Sequence, residues 1–565
     1  MLAGCLNNIE NTTSPHKIKN VEGASPVKGN QEAEQKLQVL LEGVDREFAP
    51  YRDKKQYAEW IMLTRGNDEA IKTAVDTDVE YRKKLGNPEL FTELTERLSD
   101  PGIQDQMLRR WAFLLRLEIA GNRLSEEVIE DLVKREKKIQ TVVNGFRPTL
   151  DGQTVSMNRI REILSTSRNM EERKQAWEAS KELGPLVETE IRELTRARNL
   201  AARSMGFPDH YRMQLEIQEI DEARLFSLLG RFAGLSEEPF RRMKARLDRL
   251  IADHFQSEAI DLSPWHYGDP YFRDCPPVFG VDLDPIFRDR NTIDWVTRYF
   301  DGIGLPLDQI IAKGDYQNHD GKSPHAMTMN LNRDGDVRAL MNVVDDSYWA
   351  AGALHVFGAA TYYLNIESGL PHTMRTPAHP SVVEAIAAFF DRNALDLEWL
   401  TEMFALTGEE IRGIARPLRE MLNMRQAIQS RWMLVMIHFE RGLYRDPDHD
   451  QQQRWWDLVE RFQLLRQPVE RGEKADWACE THFAIQPIHY HNYLLGTWIA
   501  SQFEDQMASD LGLERPVIWQ ANDEIGEWLT EKVFKHGAYW EFTELVRNIT
   551  GSSPIPDPFV EQFFM

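Results

Sequence analysis

Apolar residues recur at spacings of three and four along most of the chain, a pattern that predicts long amphipathic helices. The clearest of these stretches are EAEQKLQVLLEGVDREFAPY, DQMLRRWAFLLRLEIAG, SEEVIEDLVKREKKIQTVVNGF and MEERKQAWEASKELGPLVETEIRELTRARNLAARSMGF. Charged residues fill the positions between the apolar ones, so each helix is expected to bury one face and expose the other. The pattern therefore predicts a mainly α-helical protein.

Two segments interrupt the helical pattern. The stretch DLSPWHYGDPYFRDCPPVFGVDLDP is rich in Pro, Asp and aromatic residues and predicts an irregular loop. Further along, AMTMNLN and VRALMNV flank the pair Asp334-Gly335, a combination that predicts a β-hairpin. We expect one small antiparallel sheet inside an otherwise helical protein.

An apolar segment with a single histidine follows the hairpin. It reads WAAGALHVFGAATYYLNI, and His355 lies near its middle. In a His-Glu-x-x-His helix, two imidazoles on one face hold a zinc ion while the Glu serves as general base to the metal-bound water. Here Val356 stands at the Glu position and Ala359 at the second His position. The segment therefore predicts a helix whose zinc site and general base have been lost.

Composition narrows the class of protein. With 565 residues, 42% of them hydrophobic, the chain can bury a large core, which we expect to be split into two subdomains. The formal net charge of -23 argues against nucleic-acid binding, because phosphate backbones are bound mainly by Lys and Arg patches. Cys275 and Cys479 are interpreted most simply as buried thiols, and the sequence leaves a single bridge between them open.

The chain begins MLAGCLNNIENTT, in which Leu-Ala-Gly-Cys matches the site of lipid attachment in bacterial lipoproteins. Only four residues precede Cys5, without a basic or apolar region, so the sequence leaves open a truncated signal or a chance match. We expect residues 1–30 to form a polar tether and residues 31–565 a single catalytic-type domain of two interleaved subdomains. A lipidated Cys5 would place the protein in the periplasm or at the outer membrane, and otherwise it is expected in the cytoplasm.

The segment LHVFGAATYYLNIESGLPHTMRTPAHPSVVEAIAAFF resembles the active-site region of the angiotensin-converting-enzyme family of peptidyl-dipeptidases, in its bacterial form. This gluzincin family has a His-Glu-x-Gly-His helix and a second helix whose Glu supplies the third zinc ligand, at the position of Glu384 here. Four more segments agree in order with the family: PWHYGDPYF, SPHAMTMNLNRDGDVRALMNV, HFERGLYRDPDHD and THFAIQPIHYHNYLLGTWIASQ. The resemblance, which runs from about Gln31 to the C-terminus, implies two helical subdomains flanking a deep substrate channel, with the small sheet beside the former zinc-binding helix.

The same resemblance implies roles on the substrate side of the channel. In the family, a His-Ala pair on the hairpin contacts the substrate backbone, and a later histidine and two tyrosines bind the peptide and stabilise the tetrahedral oxyanion. The matching positions are His325, Ala326, His482, Tyr490 and Tyr493. His489, which stands where bacterial relatives often have another Tyr, is also expected to bind substrate, and Ala388 stands where the family often has an Asp that supports the metal site.

Three functions are compatible with these residues. In the first, the chain is a pseudopeptidase whose channel accepts an extended peptide without cutting it. In the second, the His and Tyr groups perform other, metal-independent chemistry on a small molecule as acid, base or oxyanion donor. In the third, some zinc peptidyl-dipeptidase activity survives.

The absence of a zinc ligand at Ala359 and of the base at Val356 also determines which cofactor we expect. An open zinc site needs about three protein ligands, and loss of the base alone removes roughly 10²- to 10⁴-fold of the rate. We therefore expect no cofactor, with zinc bound only if His372, His379 or Glu367 completes a site with His355 and Glu384. The expected partner is a peptide or small molecule in the channel, with membrane contact only through Cys5.

Overall fold

A computed structural model describes residues 30–513 and 522–565. The predicted tether up to residue 29, with Cys5, lies outside these residues. Ten helices form the first half of the described chain: α1 (Gln31–Arg65), α2 (Asp68–Leu85), α3 (Pro88–Ser99), α4 (Gln106–Ala120), α5 (Glu126–Gly145), α6 (Met157–Thr166), α7 (Met170–Ser180), α8 (Gly184–Ser204), α9 (His210–Ile217) and α10 (Glu222–Phe255).

The second half of the described chain is also mainly helical, so the fold is mainly α, as predicted. Its helices are α11 (Asp284–Phe287), α12 (Thr292–Gly302), α13 (Asp308–Ile311), α14 (Ser347–Leu364), α15 (Pro380–Asp391), α16 (Leu397–Phe404), α17 (Gly408–Arg445), α18 (Gln451–Gln463), α19 (His482–Ile485), α20 (Tyr490–Leu511), α21 (Asp523–Lys532), α22 (Phe542–Thr550) and α23 (Asp557–Phe564). Within the described ranges, no helix is both long and apolar enough to cross a membrane.

The predicted amphipathic stretches fold into α1, α4, α5, α7 and α8. Side chains cap their starts where the sequence offers an oxygen: Asn30 accepts from two backbone amides of α1, and Ser125 from one of α5. The last predicted stretch divides into α7 and α8. Pro185 lies in the first turn of α8, the helical position in which a residue without an amide hydrogen is tolerated.

The predicted hairpin is present as β3 (Met327–Asn330) and β4 (Val337–Leu340), paired antiparallel with Met327 opposite Leu340. Both strands pack against α14. A second, shorter hairpin of β1 (Thr149–Leu150) and β2 (Gln153–Thr154) was not predicted. Its signal is the pair Asp151-Gly152, whose φ angles of 49° and 74° are those of a tight hairpin turn.

The buried apolar residues form two main clusters. The larger one includes residues of α14, α15 and α20, and the smaller one joins α1, α2 and α4 to Met374. Cys275 and Cys479 are both free thiols, so no bridge joins them. The thiol of Cys479 donates to the carbonyl of Lys181 at 3.3 Å, as expected for a buried cysteine.

Candidate functional site

Two glycines allow α14, α15 and α20 to pack at close range. A Cβ atom on Gly358 of α14 would lie 2.4 Å from Cδ2 of Phe390 in α15. A Cβ atom on Gly496 of α20 would lie 2.6 Å from Cβ of Glu384. Neither position admits a larger side chain without displacement, because α14 packs closely on α15 and α20 packs closely on α15 at Glu384. This contact brings His355, Glu384 and the start of α20 together.

His355 lines a recess between these helices, and 40% of its side chain remains exposed there. Its Nδ1 lies 3.0 Å from Oδ2 of Asp391, and its Nε2 lies 3.9 Å from Oε2 of Glu384. Burial alone would lower the pKa of His355, but the hydrogen bond and charge of Asp391, together with the charge of Glu384, raise it above the ordinary value. The imidazole is thus held between two carboxylates.

Asp391 is a site residue that sequence reasoning missed. The position four residues after Glu384, where the family often has a supporting Asp, is Ala388, but Asp391 lies seven residues after Glu384 at the end of α15. Residues seven apart lie two turns apart on the same face of a helix. That spacing is the sequence signal for a carboxylate that orients His355.

His489 approaches the other oxygen of Glu384. Its Nε2 lies 3.7 Å from Oε1 of Glu384, and its Nδ1 lies 3.4 Å from the side-chain amide of Asn492. The Asn492 amide is a donor, so Nδ1 accepts and Nε2 carries the hydrogen that faces Glu384. We call the group of His355, Glu384, Asp391, His489 and Tyr493 the His355 recess.

Aromatic contacts connect the recess to His482. The ring of His489 packs edge-on against Tyr493 at 4.9 Å, Tyr493 packs against Tyr490 at 5.6 Å, and Tyr490 packs against His482 at 5.0 Å between centroids. Burial, and then the charge of Glu384, raise the pKa of Tyr493 well above its usual range. Tyr493 therefore stays protonated and can donate a hydrogen bond.

His482 has one carboxylate neighbour and one free nitrogen. Its Nδ1 lies 3.5 Å from Oε1 of the buried Glu480, while its buried Nε2 has no hydrogen-bond partner in the described part of the chain. Burial raises the pKa of Glu480, but the hydrogen bond from His482 and the charge of Arg273 outweigh burial and hold it below the ordinary value. An unpartnered buried nitrogen is costly, so Nε2 is a candidate contact for a ligand.

The turn that precedes α20 is held in a strained conformation. Ile488 has a φ of 55°, which is rare for a β-branched residue. Its amide donates to Oε1 of the buried Glu440 at 2.8 Å, and its carbonyl accepts from the Gln218 side chain at 3.2 Å. Burial raises the pKa of Glu440 to about 8. Glu440 and Gln218, neither of which the sequence pointed to, thus position His489.

The predicted hairpin pair lies at the entrance to β3. His325 and Ala326 are exposed immediately before the strand. Partial desolvation, and then the nearby charge of His482, lower the pKa of His325. Thr328 of β3 donates to the carbonyl of Val356 at 2.7 Å, which ties the hairpin to α14. The structure thus brings His325 into the same region as His482 and the His355 recess.

The two positions that a zinc-peptidase helix needs are apolar and buried. Val356 is 2% exposed and Ala359 is 6% exposed, and Val356 belongs to the larger core cluster. Neither side chain can ligate a metal ion or accept a proton. Among the residues that the structure describes, no group of three or more His, Cys, Asp or Glu side chains is arranged to hold a metal ion. The pattern of a zinc-peptidase helix is therefore incomplete at Val356 and Ala359.

Of the three residues that could complete a metal site, the two histidines have side-chain contacts elsewhere and the Glu367 side chain is exposed. His372 lies with its Nε2 3.6 Å from Asp53 of α1, and His379 lies with its Nε2 2.8 Å from the carbonyl of Gln218. The backbone amide of Glu367 donates to the carbonyl of Lys535. His489, which the resemblance predicts to bind substrate, is the imidazole that lies with His355 beside Glu384.

The C-terminal part of the chain is similar to a known protein family. Residues 481–563 match the sequence model of the family described as carboxypeptidase Taq (M32) metallopeptidase, a gluzincin-type family. This segment contains His482, His489, Tyr490 and Tyr493. It covers less than half of the chain and begins after α14 and α15, so neither of these helices is part of the match. A comparison with curated proteins gave no match. The C-terminal part of the chain is thus similar to a metallopeptidase, which supports a peptidase-related function.

Proposed function

We propose that this protein is a pseudopeptidase of the peptidyl-dipeptidase type, which binds an extended peptide and does not hydrolyse it. The observation that carries the proposal is the burial of Val356 and Ala359 at the positions of the general base and a zinc ligand. Without a base and a complete ligand set, water cannot be activated as a zinc peptidase activates it. The His355 side chain is instead engaged by Asp391 and Glu384.

Peptide binding is supported by groups that remain available to a ligand. Among the residues that the structure describes, strand β3 pairs with β4 alone, in a two-stranded sheet. The free edge of a strand can bind an extended peptide through backbone hydrogen bonds. The unpartnered Nε2 of His482 and the protonated hydroxyl of Tyr493 are polar groups suited to peptide carbonyls.

Three measurements on the same preparations test this proposal. Zinc content is determined by mass spectrometry after dialysis with and without zinc, peptide binding by fluorescence anisotropy, and peptide cleavage by mass spectrometry. The wild type is expected to hold far less than one zinc per chain, to bind a mixture of peptides and to leave it intact. The variant Val356→Glu with Ala359→His is expected to gain zinc, provided that its melting temperature shows it to be folded.

The opposite result has a clear form. If the wild type holds about one zinc per chain and cleaves peptides in a reaction that a chelator stops, the protein is a zinc peptidase and the proposal is wrong. His355→Ala, Glu384→Gln and His489→Ala would then each be tested for loss of zinc, because these side chains converge in the recess.

A second candidate is metal-independent chemistry at the same recess. The observation in its favour is the His355–Asp391 pair, since a carboxylate that orients an imidazole is a common general acid–base arrangement. The test incubates the protein with a small-molecule extract and compares the products by mass spectrometry. A chemical change made by the wild type and not by His355→Ala would favour an enzyme over the pseudopeptidase.

A further inference from the structure

A cavity of about 490 Å³ lies between α1 and the free edge of β3. It is lined by five residues of α1 between Arg52 and Glu59, by all of β3, and by Arg333 and Tyr363. A second cavity of about 440 Å³ shares Asn330, Arg333 and Tyr363 with the first. We call the first the hairpin cavity. Arg333, at the tip of the hairpin, therefore borders both cavities.

The hairpin cavity is connected to the His355 recess through Tyr363. Tyr363 follows His355 by eight residues on α14, which corresponds to about 12 Å along the helix axis. It is close enough to both Glu384 and Arg333 for their charges to act on its hydroxyl in opposite directions. A peptide that lies along β3 would thus extend from the recess towards Arg333.

Arg333 differs from the other cations around these cavities. Arg52 is paired with Asp45 and Glu118, Lys55 with Asp78, and Arg375 with Asp334. In the described ranges, by contrast, no carboxylate oxygen lies within ion-pair distance of Arg333.

The bonds that Arg333 does make leave most of its donors free. Its Nη1 donates to the carbonyls of His372 and Thr373 at 3.4 and 3.3 Å, and both bonds come from that one nitrogen. A guanidinium carries five N–H donors in a planar fork that matches a carboxylate. Nη2 and Nε of Arg333 are therefore available for a bidentate contact.

The backbone of Arg333 is also constrained. Its φ is 51°, which is uncommon for a residue other than glycine, and its amide donates to Oδ1 of Asn330 at 2.9 Å. Strained backbone of this kind is retained where the surrounding structure determines the position of a side chain. The turn thus directs an arginine with free donors to the boundary of the two cavities.

We propose that Arg333 binds a carboxylate of the peptide that lies along β3, either its C-terminal carboxylate or an acidic side chain. This inference rests on the proposed peptide-binding function. An arginine–carboxylate pair that forms two parallel hydrogen bonds is stronger than a bond between neutral groups, and it selects a planar anion. The ligand is therefore an anionic extended peptide, in a protein whose own net charge is -23.

The test uses three mixtures of random hexapeptides labelled at the N-terminus: one with a free C-terminus, one amidated, and one amidated with an Asp at its last position. Binding to the full chain is followed by fluorescence anisotropy for the wild type, Arg333→Gln, Arg333→Lys and Lys55→Gln. Lys55→Gln is the matched control, because it removes a cation of the same cavity that already has a carboxylate partner.

If Arg333 binds a carboxylate, the wild type binds the free-acid mixture, the Asp-containing amide or both about tenfold more tightly than the plain amide, which corresponds to about 1.4 kcal/mol. Arg333→Gln removes this preference, Arg333→Lys retains part of it, and Lys55→Gln keeps it. Tight binding of the Asp-containing amide identifies a side-chain carboxylate, and its weak binding identifies the C-terminus.

Two results overturn the proposal in distinguishable ways. If the wild type binds all three mixtures equally, or if folded Arg333→Gln keeps the preference, Arg333 does not bind a carboxylate and the pseudopeptidase function stands. If the wild type binds none of the mixtures, the proposed peptide binding is itself wrong, and the role of Arg333 falls with it. Melting temperatures of the variants show whether each is folded.

Discussion

The helix α14 and the start of α20 form opposite sides of the His355 recess, and they differ in the chemistry that they present. On α14, the residues after His355 are the buried Val356 and Ala359. On the other side, His489 presents a ring nitrogen to Glu384 and packs edge-on against Tyr493. The similarity to a metallopeptidase family also covers α20 and not α14.

Under the proposed function, this difference separates two requirements of a peptidase. Activation of water by zinc depends on a complete ligand set with a base at a fixed spacing, so two apolar residues are enough to remove it. Binding of a peptide depends on many weaker contacts spread over a channel, which survive changes on a single helix. The residues of the α20 side are therefore expected to bind a peptide even though α14 lacks the general base and a zinc ligand.

The packing that places the α20 side against Glu384 can be disrupted at Gly496, where α20 contacts α15. A Cβ atom there would lie 2.6 Å from Cβ of Glu384 and 3.0 Å from the backbone nitrogen of Ala385, so Gly496→Ala must displace α15 or α20. We expect this variant to lower the free energy of unfolding by about 1–3 kcal/mol, the usual cost of overpacking. Thermal unfolding monitored by circular dichroism measures the change.

The matched control for this prediction is Gly413→Ala in α17. Apart from the neighbouring backbone of α17, no described atom lies within 4 Å of the Cβ that would be added at Gly413, and alanine favours helix by up to about 1 kcal/mol. This variant is expected to be as stable as the wild type or slightly more stable. Equal losses of unfolding free energy in the two variants would show that close packing at Glu384 does not stabilise the contact between α20 and α15.

Glu440 accepts a hydrogen bond from the turn that precedes α20, and its contribution to stability can be measured as a function of pH. Because burial raises its pKa to about 8 from a reference value of 4.5, the folded protein binds a proton that the unfolded chain releases. The stability associated with this group is complete below about pH 4.5 and is lost as the pH rises through 8. Glu440→Gln keeps an oxygen for the Ile488 amide and does not titrate, so its melting temperature should exceed that of the wild type by about 1–3 °C at pH 8.

A second carboxylate of α17 provides the control. Glu410 is exposed, and its hydrogen bonds to Thr407 lower its pKa, so its contribution to stability has the opposite pH dependence. Glu410→Gln is expected to lose a small amount of stability as the pH rises. If both variants changed with pH in the same direction, the pKa of Glu440 would not be raised in the folded protein.

The fold was more predictable from sequence than the recess. The spacing of apolar residues identified α1, α4 and α5, and Asp334-Gly335 located the β3–β4 hairpin, because these signals lie within a few residues of one another. The break between α7 and α8 and the short hairpin at Asp151-Gly152 were missed, although Pro185 and the Asp-Gly pair were visible as local signals.

The recess depends on contacts between distant parts of the chain. His355 and Asp391 are 36 residues apart, and they meet because Gly358 admits Phe390 at close range. His489 reaches Glu384 because α20 packs on α15 at Gly496 and because Glu440 holds the Ile488 turn. The periodicity of one segment contains no information on such packing, so the resemblance gave His489 a substrate-binding role and no contact with Glu384.

The final prediction concerns the α14 side and has the smallest expected effect on stability. Asp391→Asn removes the charge that holds the pKa of His355 above its ordinary value, so the pKa of His355 should fall, because burial then dominates. Loss of this hydrogen bond, in a recess open to water, should cost less than about 1 kcal/mol. Titration of the histidine signals by NMR measures the shift.

Asp315→Asn is the control for this titration, since Asp315 raises the pKa of the exposed His319 by a similar hydrogen bond of 2.9 Å. In that variant only the His319 signal should move to a lower pKa, and in Asp391→Asn only signals from the recess should move. An unchanged His355 in Asp391→Asn would mean that Glu384 alone holds its proton. His355 would then belong with the polar groups of the α20 side, and the contrast between the two sides would be reduced to Val356 and Ala359.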